Sequence, residues 1–272
     1  MANPLDAGER DRIADIFGAI ALQAGAVVMK VYAGAAHARI KADSSPVCDA
    51  DEAAEASILA ALAVELPDLP VVAEESVARG DIPECGSRFI LVDPLDGTRE
   101  FLARNGEFTV NLALIDDGAP VAGAVYAPAM DRLWIGGATA SLVEAAPGAA
   151  LPPAAARKPI TARRPSAEGM VALCSRSHGD AETEKFLAGL KIARRTNVGS
   201  SLKFCVLAEG EADVYPRCGP TMEWDIAAGD AVLRAAGGRV LGPDGAPLRY
   251  GKRSQGFRNG AFVAWGRDSG QA

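Results

Sequence analysis

Two aspartates three positions apart stand at the centre of the stretch FILVDPLDGTREF. Asp93 ends an apolar run typical of a buried strand, and Pro94 disfavours helical geometry for it, so the strand is predicted to end there. Carboxylates as close as Asp93 and Asp96 repel each other unless a cation lies between them. The spacing therefore predicts a cation site at the end of this strand.

The two residues after Asp96 support a site at this turn. Gly97 permits a tight backbone, and Thr98 can cap a helix that follows. Both carboxylates can then face one point beyond the strand end. In open α/β sheets, ligands bind outside the carboxyl ends of the strands.

Further acids stand at the ends of other predicted elements. Glu74 and Glu75 follow a short apolar strand, Asp51 opens a helix, and Asp225 begins a strongly apolar helix. Helix capping alone would explain Asp51 or Asp225 taken singly. One of Glu74 and Glu75 is expected to be a ligand and the other a solvated neighbour, and the spacing does not decide which.

The supply of oxygen ligands favours Mg²⁺, which often bridges carboxylates and a substrate phosphate. Only 2 histidines are present, His37 and His178, which argues against zinc or a histidine-rich iron site. Walker A, dinucleotide-binding and G-x-S-x-G motifs are missing from the sequence. The acids in DPLD also lack the two-apart spacing of aspartyl-phosphate phosphatases, which favours a metal-activated water over a covalent intermediate.

Composition sets limits on the class of protein. The chain has 272 residues, 49% of them apolar, and a net charge of -7, which favours a packed globular protein and argues against binding to a nucleic-acid polymer. Its 5 cysteines form no C-x-x-C pair, so reduced thiols and a cytoplasmic location are expected. No apolar run is expected to reach the length of a membrane span, and the apolar stretch 16–28 is interpreted as an amphipathic helix.

Periodicity predicts a layered α+β or α/β fold. An N-terminal half, 1–140, carries most of the acids, and a C-terminal half, 165–272, carries alternating strands and helices. The segment 141–164, rich in alanine and proline, is interpreted as the connection. The predicted helices cover about 6–32, 51–65, 181–188, 201–210 and 224–236; predicted strands in the N-terminal half cover 71–74, 89–93, 108–115, 121–128 and 132–137.

The motifs DPLDGTREF, EES and EWDIAAGDAVLRAAGG resemble those of the lithium-sensitive, Mg²⁺-dependent inositol monophosphatase superfamily, over most of the chain. Within it, the segments RNGEFTVNLALI, SRSH, GSSLKFCVLAEGEADVYPR and GPTMEWD are similar to the CysQ-type 3′(2′),5′-bisphosphate nucleotidases. The resemblance implies an αβαβα sandwich and removal of the 3′-phosphate of adenosine 3′,5′-bisphosphate, an activity linked to sulfate assimilation. It also implies inhibition by lithium.

The resemblance implies a role for each acid. Glu74, Asp93 and the carbonyl of Leu95 would hold one Mg²⁺, and Asp93, Asp96 and Asp225 a second. The same resemblance implies a third, looser ion beside Glu74, so two or three ions are expected.

The resemblance also assigns the reacting groups and the substrate contacts. Asp51 and Thr98 would orient and deprotonate the attacking water, and the amides of Gly97 and Thr98 would hold the phosphate. The substrate contacts implied are Gly97, Thr98, His178, Gly199, Ser200, Lys203, Arg217 and Asp225. Lys203 and Arg217 could neutralise a second phosphate; the plain alternative is that both are ordinary surface cations.

Two other functions stay open from the sequence. An inositol monophosphatase or a fructose-1,6-bisphosphatase could use the same scaffold, because a fold does not fix the substrate. A non-catalytic sensor of phosphorylated ligands is disfavoured, because none of the metal acids is missing. The expected partner is a small phosphorylated molecule, and the protein is expected to be a monomer or a homodimer.

Overall fold

A computed structural model describes residues 4–34, 38–40, 46–176 and 181–267 of the protein. Seven α-helices occur in these ranges: α1 Ala7–Ala33, α2 Asp49–Glu65, α3 Glu74–Arg79, α4 Thr98–Leu102, α5 Ala181–Ala188, α6 Leu202–Ala208 and α7 Glu223–Ala235. The five predicted helices are confirmed to within three residues at each end. The short helices α3 and α4 were not expected as separate elements, because neither is long enough to produce a periodic pattern.

Sixteen strands accompany the helices in the same ranges. They are β1 Ala38–Ile40, β2 Pro46–Cys48, β3 Val71–Ala73, β4 Arg88–Asp96, β5 Thr109–Asp116, β6 Ala119–Ala127, β7 Arg132–Gly136, β8 Ala140–Glu144, β9 Lys158–Pro159, β10 Met170–Ser175, β11 Ile192–Val198, β12 Val214–Arg217, β13 Thr221–Met222, β14 Arg239–Leu241, β15 Arg258–Asn259 and β16 Phe262–Trp265.

Two large sheets organise the molecule. The first has seven strands in the order β3-β4-β5-β6-β7-β8-β9, with only the β3–β4 pair parallel. The second has five strands in the order β11-β10-β12-β16-β14, in which β10 runs parallel to both β11 and β12. Helices α1 and α2 cover one face of the first sheet, α6 and α7 lie between the sheets, and α5 packs on the second sheet. The predicted αβαβα sandwich is confirmed.

The alternation of residues along β4 explains why helices pack on both of its faces. Phe89 and Leu91 belong to the core shared with α6, α7 and the second sheet, whereas Ile90 and Val92 belong to the core beneath α1 and α2. Successive side chains in a strand point to opposite faces, so a continuous apolar run feeds two cores.

Helix α7 approaches the first sheet closely because the strands below it carry glycine. A Cβ on Gly136 would lie 2.5 Å from the Cα of Val232, and one on Gly123 would lie 2.8 Å from the Cβ of Ala231. Any larger residue at either position would push α7 away from the sheet. The contact sets how close the helix that carries Asp225 lies to the first sheet.

Helix α1 is long and apolar enough to cross a membrane by length and composition, with a mean hydropathy of 1.6 over its most apolar window. The expectation that no segment reaches that length is therefore wrong for α1. Phe17, Leu22 and Val28 on this helix are fully buried against the sheet. Burial of this kind is typical of a core helix in a globular domain.

The segment 141–164 contributes β8 and β9 to the edge of the first sheet. Ser141 pairs with Pro159 and Leu142 with Lys158, and Ile160 and Ala162 are buried in the core between the sheets. The division of the chain into halves at this segment stays a prediction.

Candidate active site

A cavity of about 350 Å³ lies where the ends of the two sheets meet. The first sheet supplies its lining through the end of β4 and the start of α4. The second supplies the end of β10, residues 200–204 and strand β12. Residues 220–226 at the start of α7, and Arg258, complete the lining.

The acidic turn at the end of β4 is part of the strand, contrary to the prediction that the strand ends at Asp93. Asp93 pairs with Asn111 and Asp96 with Thr109 on β5, and the register shifts between the two pairs. This bulge lets strand pairing continue past Pro94, which has no amide hydrogen to donate. Both carboxylates then lie at the lining of the cavity.

Gly97, rather than Thr98, is the N-cap of the helix that follows. Its φ of 93° is in the left-handed region that favours glycine, and no side chain caps α4. The expected capping role of Thr98 is therefore wrong. Its hydroxyl instead donates to the carboxylate of Asp51 at 3.3 Å and to the carbonyl of Leu95 at 3.4 Å.

Each of the three aspartates at the cavity accepts hydrogen bonds on one carboxylate oxygen. Oδ1 of Asp93 accepts from the amide of Leu95 at 3.0 Å. Oδ2 of Asp96 accepts from Oγ of Ser200 at 2.7 Å and from the amide of Ser201 at 2.5 Å. Oδ2 of Asp225 accepts from the amide of Met222 at 2.8 Å.

Asp225 therefore satisfies an amide at the start of α7 and also lines the cavity. Capping and cavity lining are thus compatible roles for this residue.

Burial and mutual repulsion raise the pKa of these acids. The pKa of Asp93 lies well above its ordinary value because the group is buried and because Glu74, Asp96 and Asp225 are negatively charged nearby. Burial and the charges of Asp96 and Glu74 do the same to the pKa of Asp225. The pKa of Asp96 is also raised by burial, against the opposing effects of Ser200 and Lys203.

This donor set fits a hard divalent cation in charge and chemistry. Four carboxylates repel one another in one cavity, and an ion with oxygen ligands would relieve that repulsion. Within the described ranges, no three acidic, cysteine or histidine side chains are already arranged as a ready-made ligand set. The three aspartate carboxylates are oriented by hydrogen bonds that they accept from the amides of Leu95, Ser201 and Met222.

Of the two neighbouring glutamates, Glu74 lines the cavity and Glu75 is buried elsewhere. The expectation of a solvated neighbour is wrong, because helix α3 begins at Glu74 and turns Glu75 towards α2. The amide of Glu75 donates to Oε2 of Glu55 at 2.7 Å, and only 4% of Glu75 is exposed.

The sequence-predicted water-activating pair is brought together. Asp51 lies in the first turn of α2, which begins at Asp49, and is only 1% exposed. The hydroxyl of Thr98 bridges Asp51 and the cavity, since Thr98 lines the cavity and donates to that carboxylate.

The predicted substrate residues fall into three groups. Ser200, Lys203 and Arg217 line the cavity, together with Gly97 and Thr98. Gly199 lies directly beside Ser200 in the turn before α6, and His178 falls outside the described residues.

Lys203 is not a surface cation. It is 4% exposed, and its Nζ donates to the carbonyls of Val198 at 3.2 Å and Ser200 at 2.5 Å. Burial lowers the pKa of Lys203 to about 8, against the raising effect of Asp96.

Arg217 is partly exposed. Its guanidinium makes long contacts, at 3.4 Å, to the carbonyls of Gly219 and Pro220, and it also bonds to the side chain of Tyr215.

Two more arginines at the cavity were missed by the sequence reasoning. Arg99 and Arg258 are exposed and line the cavity, and neither has a side-chain hydrogen bond or ion pair among the described residues. Arg99 directly follows the DPLDGT motif, so the sequence could have indicated that it lies near the site. Arg258 reaches the cavity because β15 pairs with β13 opposite Met222, which no local pattern indicates.

These observations define two sets of charged residues around one cavity. The acidic set is Glu74, Asp93, Asp96 and Asp225; the basic set is Arg99, Lys203, Arg217 and Arg258. A cavity of this kind can hold cations and a phosphorylated molecule together.

The model of the inositol monophosphatase family matches residues 9–264, so the chain belongs to that family. Among its relatives, the 3′(2′),5′-bisphosphate nucleotidase CysQ of Escherichia coli (strain K12) is 45% identical over 245 residues, which cover 89% of this chain and 95% of the relative. The CysQ of Buchnera aphidicola is 38% identical and covers 90% of each chain.

Solved structures agree with the sequence comparison. The crystal structure of CysQ from Bacteroides thetaiotaomicron matches with a TM-score of 0.79 at 35% identity, over 94% of this chain and 98% of the other. An inositol monophosphatase from Anabaena matches with a TM-score of 0.70 at 26% identity, over 94% of this chain and 91% of the other.

Proposed function

We propose that this protein is a Mg²⁺-dependent phosphomonoesterase that removes the 3′-phosphate of adenosine 3′,5′-bisphosphate, giving AMP and phosphate. The observation that carries the proposal is the meeting of the acidic and basic sets at one cavity. A bisphosphate substrate needs groups for the phosphate that reacts and cations for the phosphate that stays. The names of the CysQ relatives support the same substrate class.

The acidic set would hold the ions. Glu74, Asp93 and the carbonyl of Leu95 are proposed for one Mg²⁺, and Asp93, Asp96 and Asp225 for a second. A third ion is proposed beside Glu74 in a site with three ions. When bound, the ions supply Lewis-acid stabilisation of the phosphoryl oxygens. Asp93 is the most buried member of the set and is affected by the charges of the other three, which suits a shared ligand.

Asp51 and Thr98 would activate the attacking water. Thr98 donates its hydroxyl proton to Asp51, which leaves the lone pairs of its oxygen able to accept a proton from a water in the cavity. Asp51 is the final proton acceptor in this relay. The buried setting of Asp51 keeps bulk water from competing for the same hydrogen bond.

The reacting phosphate would bind the amides of Gly97 and Thr98. The first amides of a helix have no carbonyl partners within the helix, so they are available to an anion. Both residues line the cavity next to Asp96.

The basic set would bind the phosphate that is not removed. Arg99 and Arg258 have no side-chain partners in the described part of the chain, so both are available for phosphate oxygens. Arg217 lines the same cavity, and its contacts to two carbonyls are long, at 3.4 Å. Lys203 already donates to two carbonyls. We assign Lys203 to the positive potential of the site and the arginines to direct contact.

Phosphate release measured with three substrates tests the proposal. Adenosine 3′,5′-bisphosphate is expected to give the highest kcat/KM with Mg²⁺, above inositol 1-phosphate and fructose 1,6-bisphosphate, and lithium is expected to inhibit. Asp93→Asn serves as the inactive control. A higher kcat/KM for either of the other two substrates would replace the nucleotide as the assigned substrate.

The four cysteines that the structure describes, Cys85, Cys174, Cys205 and Cys218, are free. This supports the proposal of a cytoplasmic enzyme acting on a small phosphorylated molecule.

A further inference from the structure

The loop of residues 199–201, here called the substrate loop, connects β11 to α6 beside the cavity. Ser200 has a φ of 53°, an unusual backbone conformation for a residue with a side chain. Such a conformation persists only where the surroundings hold it. The contacts that hold this loop therefore bear on the shape of the site.

The inner side of the substrate loop is held by the first sheet. Ser200 and Ser201 bond to Asp96, and the hydroxyl of Thr109 lies 2.7 Å from Oγ of Ser200 and 2.8 Å from Oγ of Ser201. Oγ of Ser201 also donates to Oδ1 of Asn111 at 2.8 Å.

The outer side of the substrate loop is held by Glu107, which lies between α4 and β5. Oε2 of Glu107 accepts from the amide of Gly199 at 2.8 Å. The same carboxylate accepts from Nε of Arg176 at 2.8 Å and from its Nη2 at 2.7 Å. Arg176 directly follows β10, so one carboxylate ties the first sheet to two strand ends of the second.

Glu107 also contacts the turn proposed to hold the reacting phosphate. A Cβ on Gly97 would lie 3.1 Å from the carbonyl oxygen of Glu107, so the two backbones pack closely. A Cβ on Gly199 would lie 2.9 Å from Oε2 of Glu107. Both glycines thus allow Glu107 to approach the two backbone segments that border the site.

We propose that Glu107 is a positioning residue that sets substrate affinity by holding the substrate loop against the turn at Gly97. The inference rests on the proposed function only in taking the substrate to be a phosphate ester. The hydrogen bond from Gly199 is charge-assisted, and such bonds are about twice as strong as neutral ones. Glu107 lies outside the cavity lining, so it acts through the loop and not on the substrate.

The ion pair of Glu107 with Arg176 and its hydrogen bond with Gly199 are expected to contribute unequally to holding the substrate loop. Arg176 is 47% exposed, so the ion pair with Glu107 is screened by solvent. The bond to Gly199 is partly buried and bears directly on the loop. Glu107→Gln weakens both contacts, whereas Arg176→Met leaves the bond to Gly199 in place.

Steady-state kinetics separate positioning from chemistry. Glu107→Gln is expected to raise KM about tenfold and to change kcat less than about twofold, as loss of a charge-assisted bond predicts. Arg176→Met is expected to raise KM about twofold. Glu184→Gln, which breaks the exposed ion pair of Glu184 with Arg195, is the matched control and should leave both constants unchanged.

An unchanged KM in Glu107→Gln overturns the proposal. So does a fall in kcat that matches a fall in thermal stability, because that result indicates a purely structural residue. If the wild-type protein does not hydrolyse the nucleotide, the proposed function fails, and the comparison is made with whichever of the three phosphate esters it does hydrolyse.

Hydrogen–deuterium exchange tests the loop without any substrate. A peptide that contains residues 199–201 should exchange faster in Glu107→Gln than in the wild type or in Glu184→Gln, because the amide of Gly199 loses its charged acceptor. Equal exchange in all three proteins would show that Glu107 does not hold the loop and would overturn the proposal.

Discussion

The acidic and basic sets line the same cavity but are held in different ways. Three of the four acids accept a hydrogen bond from a backbone amide. The donors are the amides of Leu95, Ser201 and Met222. In the basic set only Lys203 is buried and firmly bonded, whereas Arg99 and Arg258 have no side-chain partners among the residues described.

This difference separates two requirements of phosphate-ester hydrolysis. Ions and a reacting phosphate need fixed geometry, and the acids keep that geometry at the cost of mutual repulsion. The phosphate that stays needs positive charge on long side chains, which the exposed arginines provide. The acidic set is therefore expected to control turnover and the basic set to control the choice of substrate.

The largest expected effect is that of Asp93→Asn. Asparagine keeps the acceptor for the amide of Leu95 but removes the charge that two ions would share. We expect kcat to fall roughly 10³-fold, equivalent to several kcal/mol of lost transition-state stabilisation. Phosphate release at saturating Mg²⁺ measures the loss.

The same variant should become more stable without Mg²⁺. The raised pKa of Asp93 means that the folded protein disfavours its charged form, so a neutral isostere relieves repulsion. We expect a gain of a few degrees in Tm in EDTA, since 1 kcal/mol corresponds to about 2–4 °C in a chain of this size. A lower Tm of Asp93→Asn in EDTA would show that the Asp93 carboxylate stabilises the metal-free fold.

A smaller and more selective effect is expected from Arg258→Gln. Loss of a charged contact to the second phosphate should raise KM for adenosine 3′,5′-bisphosphate roughly tenfold. KM for inositol 1-phosphate, which has a single phosphate, should not change. Arg253→Gln, which breaks the surface pair with Glu84, is the control.

Equal rises in KM for both substrates would show that Arg258 does not distinguish between them. The two charged sets would then differ in burial but not in role.

The charge of Lys203 gives the basic set a pH dependence. Burial lowers the pKa of Lys203 to about 8, so the positive form is lost as the pH rises through that value in the free protein. We expect kcat/KM for the nucleotide to fall several-fold between pH 8 and about pH 9. Lys203→Arg keeps its charge over this range, so its profile should stay flat.

A wild-type profile that stays flat above pH 8 would contradict this role for Lys203. A fall of equal size in Lys203→Arg would assign the titration to another group.

The acidic set was predictable because its signals are local. Asp93 and Asp96 fall within four residues, and Asp225 begins a helix whose apolar period is clear. The choice between Glu74 and Glu75 was not predictable, because helix α3 is too short to leave a pattern and its contact with Glu55 is tertiary.

The remaining errors concern contacts between distant parts of the chain. Glu107 and Gly199 lie 92 residues apart, and no spacing rule connects them. Strands β8 and β9 were missed because they flank a stretch rich in alanine and proline, and they form by pairing β8 with β7 and β9 with β8. The acidic residues of the site could be predicted from the sequence. The contacts that hold them in place form only when distant strands pair, so they could not be predicted.

The smallest expected effect is that of Thr109→Val, which tests whether the acidic set and the substrate loop act as one unit. Thr109 is fully buried on β5, opposite Asp96, and its hydroxyl lies within hydrogen-bond distance of both Ser200 and Ser201. Ser200 and Ser201 donate their own protons to Asp96 and Asn111, so the proton of Thr109 serves one serine oxygen at a time. Valine keeps the shape and removes this one hydrogen bond. We expect a loss of about 1–2 kcal/mol in stability and a rise in KM of about threefold.

Ser200 and Ser201 keep their bonds to Asp96 and Asn111 in this variant, which is why the effect on KM should stay below that of Glu107→Gln. Thermal unfolding and kinetics of the two single variants and of the double variant measure the coupling. A double variant whose fold-change in KM is the product of the two single fold-changes would indicate that the inner and outer contacts hold the loop independently. A double variant no worse than Glu107→Gln alone would indicate that the loop is already displaced once the outer contact is lost, which makes Glu107 the controlling support.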